Sequence, residues 1–232
     1  MKKNVIFLLF MALWMPFATS AQSVDPKAYY YDVKESQNVE TTLVENGEAP
    51  LDVTFRANPT DMEGHNPAYE WHFRRSSKDQ GTEELFVRYE EDTQYTFNES
   101  GTYVVMLKTR IIDEEYDLDS ISITITIPDS RLEFPNAFSP NGEDPNNIFR
   151  AKRDYRSIVK FHAYILNRWG HVLFDWTDPA EGWDGTYKGK AVKDGVYFLL
   201  CKATGADGIE YNIRKDVNLL RNFTRGTTTG NE

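Results

Sequence analysis

Apolar and polar residues alternate along most of the chain after residue 24, and no long segment shows the spacing of an amphipathic helix. In the segment SISITITI, residues 120–127, isoleucines occupy one face and serine or threonine the other. Residues 51–57 and 209–219 alternate in the same way. A period of two is typical of antiparallel strands that pack one face against a core and expose the other to water. The pattern therefore predicts an all-β fold.

Turn-forming sequences such as ENGEAP, NESG and NRWG separate these segments at the spacing that β-sandwiches show. The clearest break lies near Pro128, where PDSRLEFPN follows a complete strand and carries two prolines. A domain commonly holds about 100 residues, so the chain has room for two. We predict consecutive antiparallel β-sandwich domains at residues 22–128 and 131–221, followed by a polar tail at 222–232.

Residues 1–21 have the three parts of a secretory signal peptide. Lys2 and Lys3 form the basic start, residues 5–17 the apolar stretch, and Thr-Ser-Ala at 19–21 the cleavage site. The apolar run is too short to span a bilayer core. We therefore predict cleavage after Ala21, export through the inner membrane, and no direct insertion of the mature chain into a membrane.

Cysteine content and charge narrow the range of partners. Cys201 is the single cysteine, so the chain can form neither an internal disulfide nor a cysteine-based metal site. Gln22 stands where a lipoprotein would need cysteine after cleavage. The formal net charge is −10 and no basic run occurs, which argues against nucleic acid and anionic lipid surfaces as partners.

Three segments of the first predicted domain follow a recognisable pattern: GEAPLDVTFRANP (47–59), AYEWHF (68–73) and YTFNESGTYVVMLKT (95–109). They resemble the PKD family of immunoglobulin-like domains. In this pattern Trp71 and Phe73 face the core, residues 98–101 form a tight turn, and a return strand follows. RRSSKDQGTEE (74–84) replaces the family's acidic-glycine turn and is expected to form a longer loop. The resemblance implies a spacer, or a binder of protein or carbohydrate.

The second predicted domain carries four motifs in order: FPNAFSPNGEDPNNIFR (134–150), ILNRWGHVLFD (165–175), GWDGTYKGKAVKDGVYFLLCKA (182–203) and a final strand ending at Arg221. Together they resemble the gliding-motility-associated C-terminal domain, the type B sorting domain of cargo for the Bacteroidota type IX secretion system. The fold class that follows is two consecutive immunoglobulin-like antiparallel β-sandwich domains. The resemblance implies recognition by type IX outer-membrane proteins, including a PorP/SprF-like β-barrel protein.

The residues that match these motifs form the predicted sorting and partner-binding set. They are Pro135, Asn136, Pro140, Asn141, Gly142, Asn167, Arg168, Trp169, Gly170, Trp183, Asp184, Gly185, Asp194, Gly195, Tyr197 and Arg221. We expect docking through an edge strand at 209–221 or through the aromatic turns at Trp169 and Trp183.

The stretch GWDGTYKGKAVKDGVYF contains two Asp-Gly pairs that are open to three interpretations: a catalytic carboxylate pair, ligands for calcium, or turns. Asp followed by Gly is a strong hairpin signal, so we expect Asp184 and Asp194 to cap their own backbone in turns. Alternation after the second pair predicts that Val196, Phe198 and Leu200 enter the core.

The NRWG motif, residues 167–170, also predicts a turn. Asn167 and Gly170 are residue types that adopt positive φ readily, and we expect them to flank the turn. The side chain of Trp169 is expected to fold over the edge of the sandwich.

A calcium loop is a further candidate at NGEDPNN, with Asn141, Glu143, Asp144, Asn146 and Asn147 as oxygen ligands. A plain asparagine-rich turn is the alternative, because the glycine that such ion loops use is replaced.

Known catalytic arrangements do not fit the chain. Ser157 and Lys160 match S-x-x-K, but the segment alternates as a strand, whereas that motif needs a helix. His72 and His162 are expected to face solvent. We therefore predict no enzyme activity and no cofactor.

The sequence thus favours a non-enzymatic, exported protein of the type IX secretion and gliding system. We expect it to be outer-membrane-associated, at the cell surface or extracellular, and to act as an accessory or adaptor component. The alternative is a surface adhesin or carbohydrate-binding protein whose first domain binds the ligand. A hydrolase is a third hypothesis, but no arrangement of residues in the sequence supports it.

Overall fold

The computed structural model describes residues 21–77, 81–142 and 146–221. Within these ranges the chain is built almost entirely from β-strands, and its one helical element is a 3-10 turn at Ile112–Glu114. No helix there is long and apolar enough to cross a membrane. The all-β fold predicted from the alternation is confirmed. Residues 1–20 of the predicted signal peptide (1–21) and the predicted tail at 222–232 lie outside the described residues.

The first part of the chain forms two facing sheets of mostly antiparallel strands and one short two-stranded ribbon. Its strands are β1 (Ser23–Val24), β2 (Lys27–Asp32), β3 (Gln37–Thr41), β4 (Leu43–Val44), β5 (Leu51–Arg56), β6 (Pro59–Thr60), β7 (Pro67–Ser77), β8 (Gly81–Arg88), β9 (Asp92–Phe97), β10 (Gly101–Ile111), β11 (Tyr116–Asp117) and β12 (Ile121–Ile127). One sheet has the order β4-β12-β10-β7-β8, with β11 paired to β10. The other has the order β3-β2-β5-β9. Within the larger sheet, β4 runs parallel to β12.

The core between these sheets follows the alternation of the sequence. Phe55 lies 5.9 Å from Trp71 and 5.5 Å from Phe73, measured between ring centroids across the two sheets. Alternate residues of β10 and β12 complete the core, among them Val105 and Ile125, which are fully buried. Each large apolar side chain buried in this way contributes roughly 1.5–3 kcal/mol. Trp71 and Phe73 therefore face the core as predicted.

The segment 74–84 is not the longer loop that its composition suggested. Its described residues continue β7 and β8, so that Arg74 pairs with Glu84 across the two strands. Charged and polar residues stand here in place of alternating apolar ones, so the sequence lacks the period of two that predicts a strand. His72 is another difference, because it is buried rather than facing solvent, and its Nδ1 lies 2.8 Å from Glu84 Oε2. The side chain of His162 is 43% exposed.

The second part of the chain has one full sheet and two short ribbons. Its strands are β13 (Ala137–Phe138), β14 (Phe149–Arg150), β15 (Ile158–Leu166), β16 (Val172–Trp176), β17 (Gly182–Trp183), β18 (Thr186–Tyr187), β19 (Lys190–Ala191), β20 (Gly195–Gly205) and β21 (Glu210–Leu219). The sheet has the order β13-β21-β20-β15-β16, and β13 runs parallel to β21. The ribbons pair β14 with β17 and β18 with β19.

Aromatic side chains from the ribbons and connecting segments cover the inner face of the full sheet. Phe138 lies 5.3 Å from Trp183 and 5.8 Å from Phe149, measured between ring centroids. Phe149 and Trp183 are both fully buried and come from the paired strands β14 and β17. The second layer of this domain is therefore a small aromatic cover rather than a complete sheet.

Strand β20 presents the opposite face from the one predicted. Leu199 and Cys201 are buried in the core, whereas Val196, Phe198 and Leu200 point outward with 50%, 37% and 37% of their surface exposed. The sequence VYFLLC is apolar on both faces of the strand, so alternation alone did not decide which face enters the core.

The hairpin between β20 and β21 joins the second domain to the first. Ala206 packs into the hydrophobic core of the first domain with 6% of its surface exposed. The backbone N–H of Ser100 donates to the Ala206 carbonyl at 3.0 Å. Ser130, in the connecting segment, donates from Oγ to Asp207 Oδ1 at 2.8 Å. A Cβ atom at Gly205 would lie 2.0 Å from Ser130 Oγ, so this close approach requires glycine.

Candidate partner-binding end of the second domain

The predicted sorting motifs converge on one end of the second domain. Strand register pairs Gly195 with Leu219 and Phe198 with Leu166 at this end, while Gly205 and Ile158 pair at the other. We call the first the distal end and the second, which carries Ala206, the near end. The NRWG turn, both Asp-Gly pairs and Arg221 all lie at the distal end.

Arg221 connects three separate segments at the distal end. Its guanidinium donates to Asp194 Oδ1 at 2.8 Å through Nη1 and to the Gly185 carbonyl at 2.9 Å through Nη2. Nη1 also donates to the Val192 carbonyl, and the Arg221 backbone N–H donates to Asp194 Oδ2. Asp194 therefore holds Arg221 instead of capping its own backbone, which corrects the sequence interpretation. Charge-assisted bonds of this kind are about twice as strong as neutral ones.

Asp184 does cap its own backbone, but the hairpin turn lies elsewhere. Its Oδ1 accepts a hydrogen bond from the Thr186 N–H at 2.9 Å, and Gly185 supplies a φ of +80°. The turn between β18 and β19 is made by Lys188 and Gly189, with φ values of 51° and 73°. Positive φ at both central residues is the geometry of a type I′ hairpin. With the Asp184 carboxylate used by a turn and that of Asp194 by Arg221, the geometry gives no support to a catalytic pair.

Trp183 is a packing residue. Its side chain is fully buried, and its Nε1–H donates to the Thr186 carbonyl at 2.7 Å. The Tyr197 ring lies edge-on at 5.0 Å, and the Tyr197 hydroxyl donates to the Lys193 carbonyl at 2.6 Å. Burial raises the pKa of Tyr197, and the nearby cation of Arg221 opposes this effect. The Trp183 ring itself is therefore not accessible to a partner, and docking through the turn that carries it stays a prediction.

The NRWG turn presents its tryptophan to solvent. Asn167 Oδ1 accepts from the backbone N–H groups of Trp169 and His171, both at 3.0 Å. Gly170 has a φ of +80° as predicted, but Asn167 is not among the residues with positive φ. Trp169 is 71% exposed, so it does not fold over the sandwich edge. The Arg168 guanidinium carbon lies 4.6 Å from the centre of its ring. This turn offers a partner an aromatic surface and a cation.

One known family matches most of the second domain. Residues 132–213 match the family model CHU_C, described as Type IX secretion signal domain. The second domain is a type IX secretion signal domain. Such a domain implies export to the cell surface or the extracellular space. No curated protein matches the chain. Arg221 lies beyond the matched residues, so its role rests on the contacts described above.

Solved structures that match the chain have low sequence identity and low TM-scores. The mixed-linkage glucan utilization protein SGBP-B of Bacteroides ovatus, in complex with a mixed-linkage heptasaccharide, has 12% identity over 76% of this chain and 42% of its own, with a TM-score of 0.28. Dimeric latent PorU from Porphyromonas gingivalis has 12% identity over 86% and 20%, with a TM-score of 0.26. Chicken CNTN1 FN1–FN3 has 11% identity over 79% and 68%, with a TM-score of 0.27. The chain thus spans less than half the length of the first two.

The PNG segment, residues 140–142, lies at the distal end of the signal domain. A Cβ atom at Gly185 would lie 3.1 Å from Pro140 Cγ and 3.2 Å from Arg221 Nη2. The PNG segment, the first Asp-Gly pair and Arg221 are therefore in contact. Upstream, the Asn136 carbonyl accepts from the Asn218 N–H at 2.9 Å, while Pro135 lies in the same connecting segment. These residues fix the shape of the end.

The predicted calcium loop of the signal domain is described only in part. The Asn146 carbonyl accepts from the Ser139 N–H, and Asn147 Oδ1 accepts from the Gly142 N–H, both at 2.8 Å. The backbone nitrogen of Asn141 lies 2.8 Å from the Ser139 carbonyl oxygen. Glu143 and Asp144 lie outside the described residues. These hydrogen bonds are those of an asparagine-rich turn, and calcium binding stays a prediction.

Other chemistry in the signal domain is limited among the described residues. No group of three histidine, cysteine, aspartate or glutamate side chains in those ranges is placed to hold a metal ion. Cys201 is buried in the core, and burial raises the pKa of its thiol to about 12. A thiol with so high a pKa is a packing group and a poor nucleophile near neutral pH.

One edge of the signal-domain sheet is paired with another strand over only two residues. Strand β13 pairs only with Asn218 and Leu219 of β21. Among the described residues, no other strand pairs with that side of β21, so the backbone groups of residues 210–217 are not used by a strand. The connecting segment contacts the same strand through Ser130 and Phe134, which bond to Tyr211 and Lys215. The predicted edge-strand mode of docking thus has a physical surface, although it is shorter than the range 209–221.

Proposed function

We propose that this protein is a non-enzymatic cell-surface component of the type IX secretion and gliding system. In this proposal, outer-membrane proteins recognise the distal end of its signal domain. The observation that carries the proposal is the convergence of the family motifs on the end that lies away from the first domain. The near end is occupied by contacts of Ala206 and Asp207 with the rest of the chain. A partner can therefore reach the distal end while the first domain remains attached.

One turn at the distal end and one edge of the sheet are suited to contact a partner. Trp169 offers an exposed ring with the Arg168 guanidinium beside it. Tryptophan and arginine are enriched among the residues that dominate protein interfaces. The edge at residues 210–217 can add a strand. Trp183 and Arg221 act indirectly in this proposal, because they hold the turns in place.

A PorP/SprF-like β-barrel protein of the outer membrane is the partner that we propose. The first domain, which resembles the PKD family, then serves as a spacer, and the chain works as an accessory or adaptor rather than as a carrier of a large cargo. The −10 net charge and the lack of a basic run agree with a protein partner rather than a nucleic acid or an anionic lipid surface.

A binding measurement with purified components tests this proposal. The chain beginning at Gln22 is immobilised, and a PorP/SprF-like protein from the same organism is applied in detergent. We expect retention by the wild-type chain and at least about tenfold weaker binding by Trp169→Ala, the cost typical of a lost aromatic anchor. Tyr89→Ala, which removes a 73% exposed ring from the first domain, is the matched control. Equal binding by both variants and the wild type would contradict the proposal.

A second candidate function rests on a groove in the first domain. Its volume is about 660 Å³, and polar side chains on the outer face of β5 and β9 line it, including Asp52, Thr54, Gln94 and Thr96. Carboxylate, amide and hydroxyl groups placed together in a concave site can orient a polar ligand such as a sugar. Calorimetric titration with soluble glucans tests this alternative, and Gln94→Ala should then weaken binding. Absence of heat with every glycan tried would remove the support.

A further inference from the structure

The outer face of the signal-domain sheet carries a contiguous apolar surface that the motifs do not explain. We call it the apolar strip, and it consists of Leu166, Val172, Val196, Phe198 and Leu200. Leu166 lies directly opposite Phe198 on one side and Val172 on the other, so the strip crosses three strands. Val196 and Val172 are 50% and 48% exposed, and Phe198 and Leu200 are each 37% exposed.

The strip borders a groove rather than a flat surface. A shallow depression of about 750 Å³ is lined by Leu166, Phe198 and Leu200 together with polar residues of β21 and Asn136. Neighbouring exposed side chains of this size form a patch of roughly 300–600 Å², which on soluble proteins often marks an interaction site. The inner face of the same strands already packs the core, so the strip is not needed to hold this sheet together.

The charges around the groove select among possible occupants. Arg214 lines the groove and forms no ion pair with any described residue. Lys215 lines it as well, but its Nζ donates to the Phe134 carbonyl at 2.6 Å. Asp216 is the acidic residue among those that line the groove. An arginine that forms no ion pair with a described residue and lies beside an apolar surface fits a carboxylate on the occupant.

We propose that the apolar strip and Arg214 form a docking site for an extended segment of a partner protein that carries apolar side chains and a carboxylate. A second copy of this chain fits less well, because a specific stable interface buries about 800 Å² on each partner and five partly exposed side chains offer roughly half of that. The site lies on the sheet face beside the distal turns, and its occupation does not depend on recognition of those turns during export.

The experiment uses the purified chain beginning at Gln22 and two fluorescein-labelled synthetic peptides. Both alternate valine and phenylalanine with a charged residue, which is aspartate in one peptide and lysine in the other. Fluorescence anisotropy should show binding of the aspartate peptide and at least about tenfold weaker binding of the lysine peptide. Phe198→Ser and Arg214→Glu should each weaken binding of the aspartate peptide by about tenfold.

Matched controls separate a docking site from general stickiness. Ile209→Ser removes an apolar side chain that is 50% exposed in the hairpin at the near end. Arg153→Glu reverses an exposed charge outside the groove. Both controls should bind the aspartate peptide as the wild type does, and circular dichroism melting should show that all four variants are folded.

Three results would overturn the proposal: equal binding of both peptides, unchanged binding in Phe198→Ser and Arg214→Glu, or no binding of the aspartate peptide. Sedimentation velocity on the same samples tests the other occupant. A concentration-dependent dimer that Phe198→Ser abolishes would replace the partner segment with a second copy. Because these measurements use peptides and purified protein, their failure would leave the binding test with the outer-membrane protein unaffected.

Discussion

At the near end of the signal domain, Ala206 is buried against the first domain, whereas at the distal end Trp169 leaves most of its ring to solvent. Each of these residues lies in a turn that is held by a side-chain oxygen. Asp207 binds Ser130 of the connecting segment, and Asn167 Oδ1 accepts from the backbone N–H groups of Trp169 and His171. The two turns differ in the side chain that they present. The near-end turn places the small side chain of Ala206 in a core, and the distal turn leaves the large side chain of Trp169 exposed to solvent.

One glycine at each end of the domain meets a different structural requirement. Gly205 has no room for a Cβ atom because Ser130 lies against it. Gly170 supplies the positive φ of its turn, and a Cβ atom there would meet open space. Close packing is therefore the requirement at Gly205, and backbone conformation is the requirement at Gly170.

The largest effect on stability is expected at the near end. Ala206→Asp would place a carboxylate in the core of the first domain, and an unpaired buried charge of this kind costs about 3 kcal/mol or more. Urea unfolding followed by tryptophan fluorescence should show that loss in the free energy of unfolding. Ile209→Asp, at an exposed position of the same hairpin, should change it by less than about 0.5 kcal/mol. Equal losses in the two variants would mean that the Ala206 contact is unimportant.

At the distal end, the largest effect is expected for Arg221→Ala. The substitution removes an ion pair with Asp194 and hydrogen bonds to two carbonyl groups. Hydrogen bonds to charged groups contribute about 1.5–3 kcal/mol, so we expect the free energy of unfolding to fall by about 2 kcal/mol. Arg153→Ala is the control, since that side chain forms no ion pair with a described residue. An unchanged urea midpoint for Arg221→Ala would show that the turns hold without it.

Asp207 makes the near end sensitive to acid. Burial acts to raise the pKa of this carboxyl, but the hydrogen bonds from Ser130 and the Ile209 N–H outweigh burial and lower the pKa below its usual value. A lowered pKa in the folded state adds stability above the unfolded pKa of about 3.9, and this stability is lost as pH falls through the folded value. The difference in unfolding free energy between wild type and Asp207→Asn should therefore be largest near neutral pH and shrink below about pH 4. A difference that stays constant across this range would contradict the assignment.

The smallest effect on stability is expected for Trp169→Ala. The ring is 71% exposed and packs mainly with Arg168, so its removal should change the free energy of unfolding by less than about 0.5 kcal/mol. Thermal unfolding by circular dichroism measures this directly. A loss of more than about 2 kcal/mol would mean that Trp169 is a structural residue and would remove the contrast between the two ends.

Local patterns in the sequence predicted local structure well. The alternation in residues 120–127 placed Ile123, Ile125 and Ile127 in the core, where they are buried. The same rule failed in β20, because both faces of that strand are apolar and only the sheet around it selects the inner one. It failed again in residues 74–84, where cross-strand charge pairs take the place of apolar alternation.

The candidate site was predictable as a set of residues but not as an arrangement. The motif resemblance identified the signal domain that the family comparison shows. The partner of Asp194 could not be read from its Asp-Gly signal, because Arg221 lies 27 positions away. The contact of Ala206 with the first domain had no sequence signal either, since an alanine in a hairpin has no distinctive pattern.

Surface display in the native cell tests the central claim most directly: that the distal end is the recognised end. The full chain is expressed as wild type, Trp169→Ala and Ile209→Ala, and the surface-exposed fraction is measured by protease treatment of intact cells. We predict that Trp169→Ala accumulates in the periplasm in folded form, while Ile209→Ala is displayed like the wild type. Normal display of Trp169→Ala, or retention of Ile209→Ala instead, would contradict the claim.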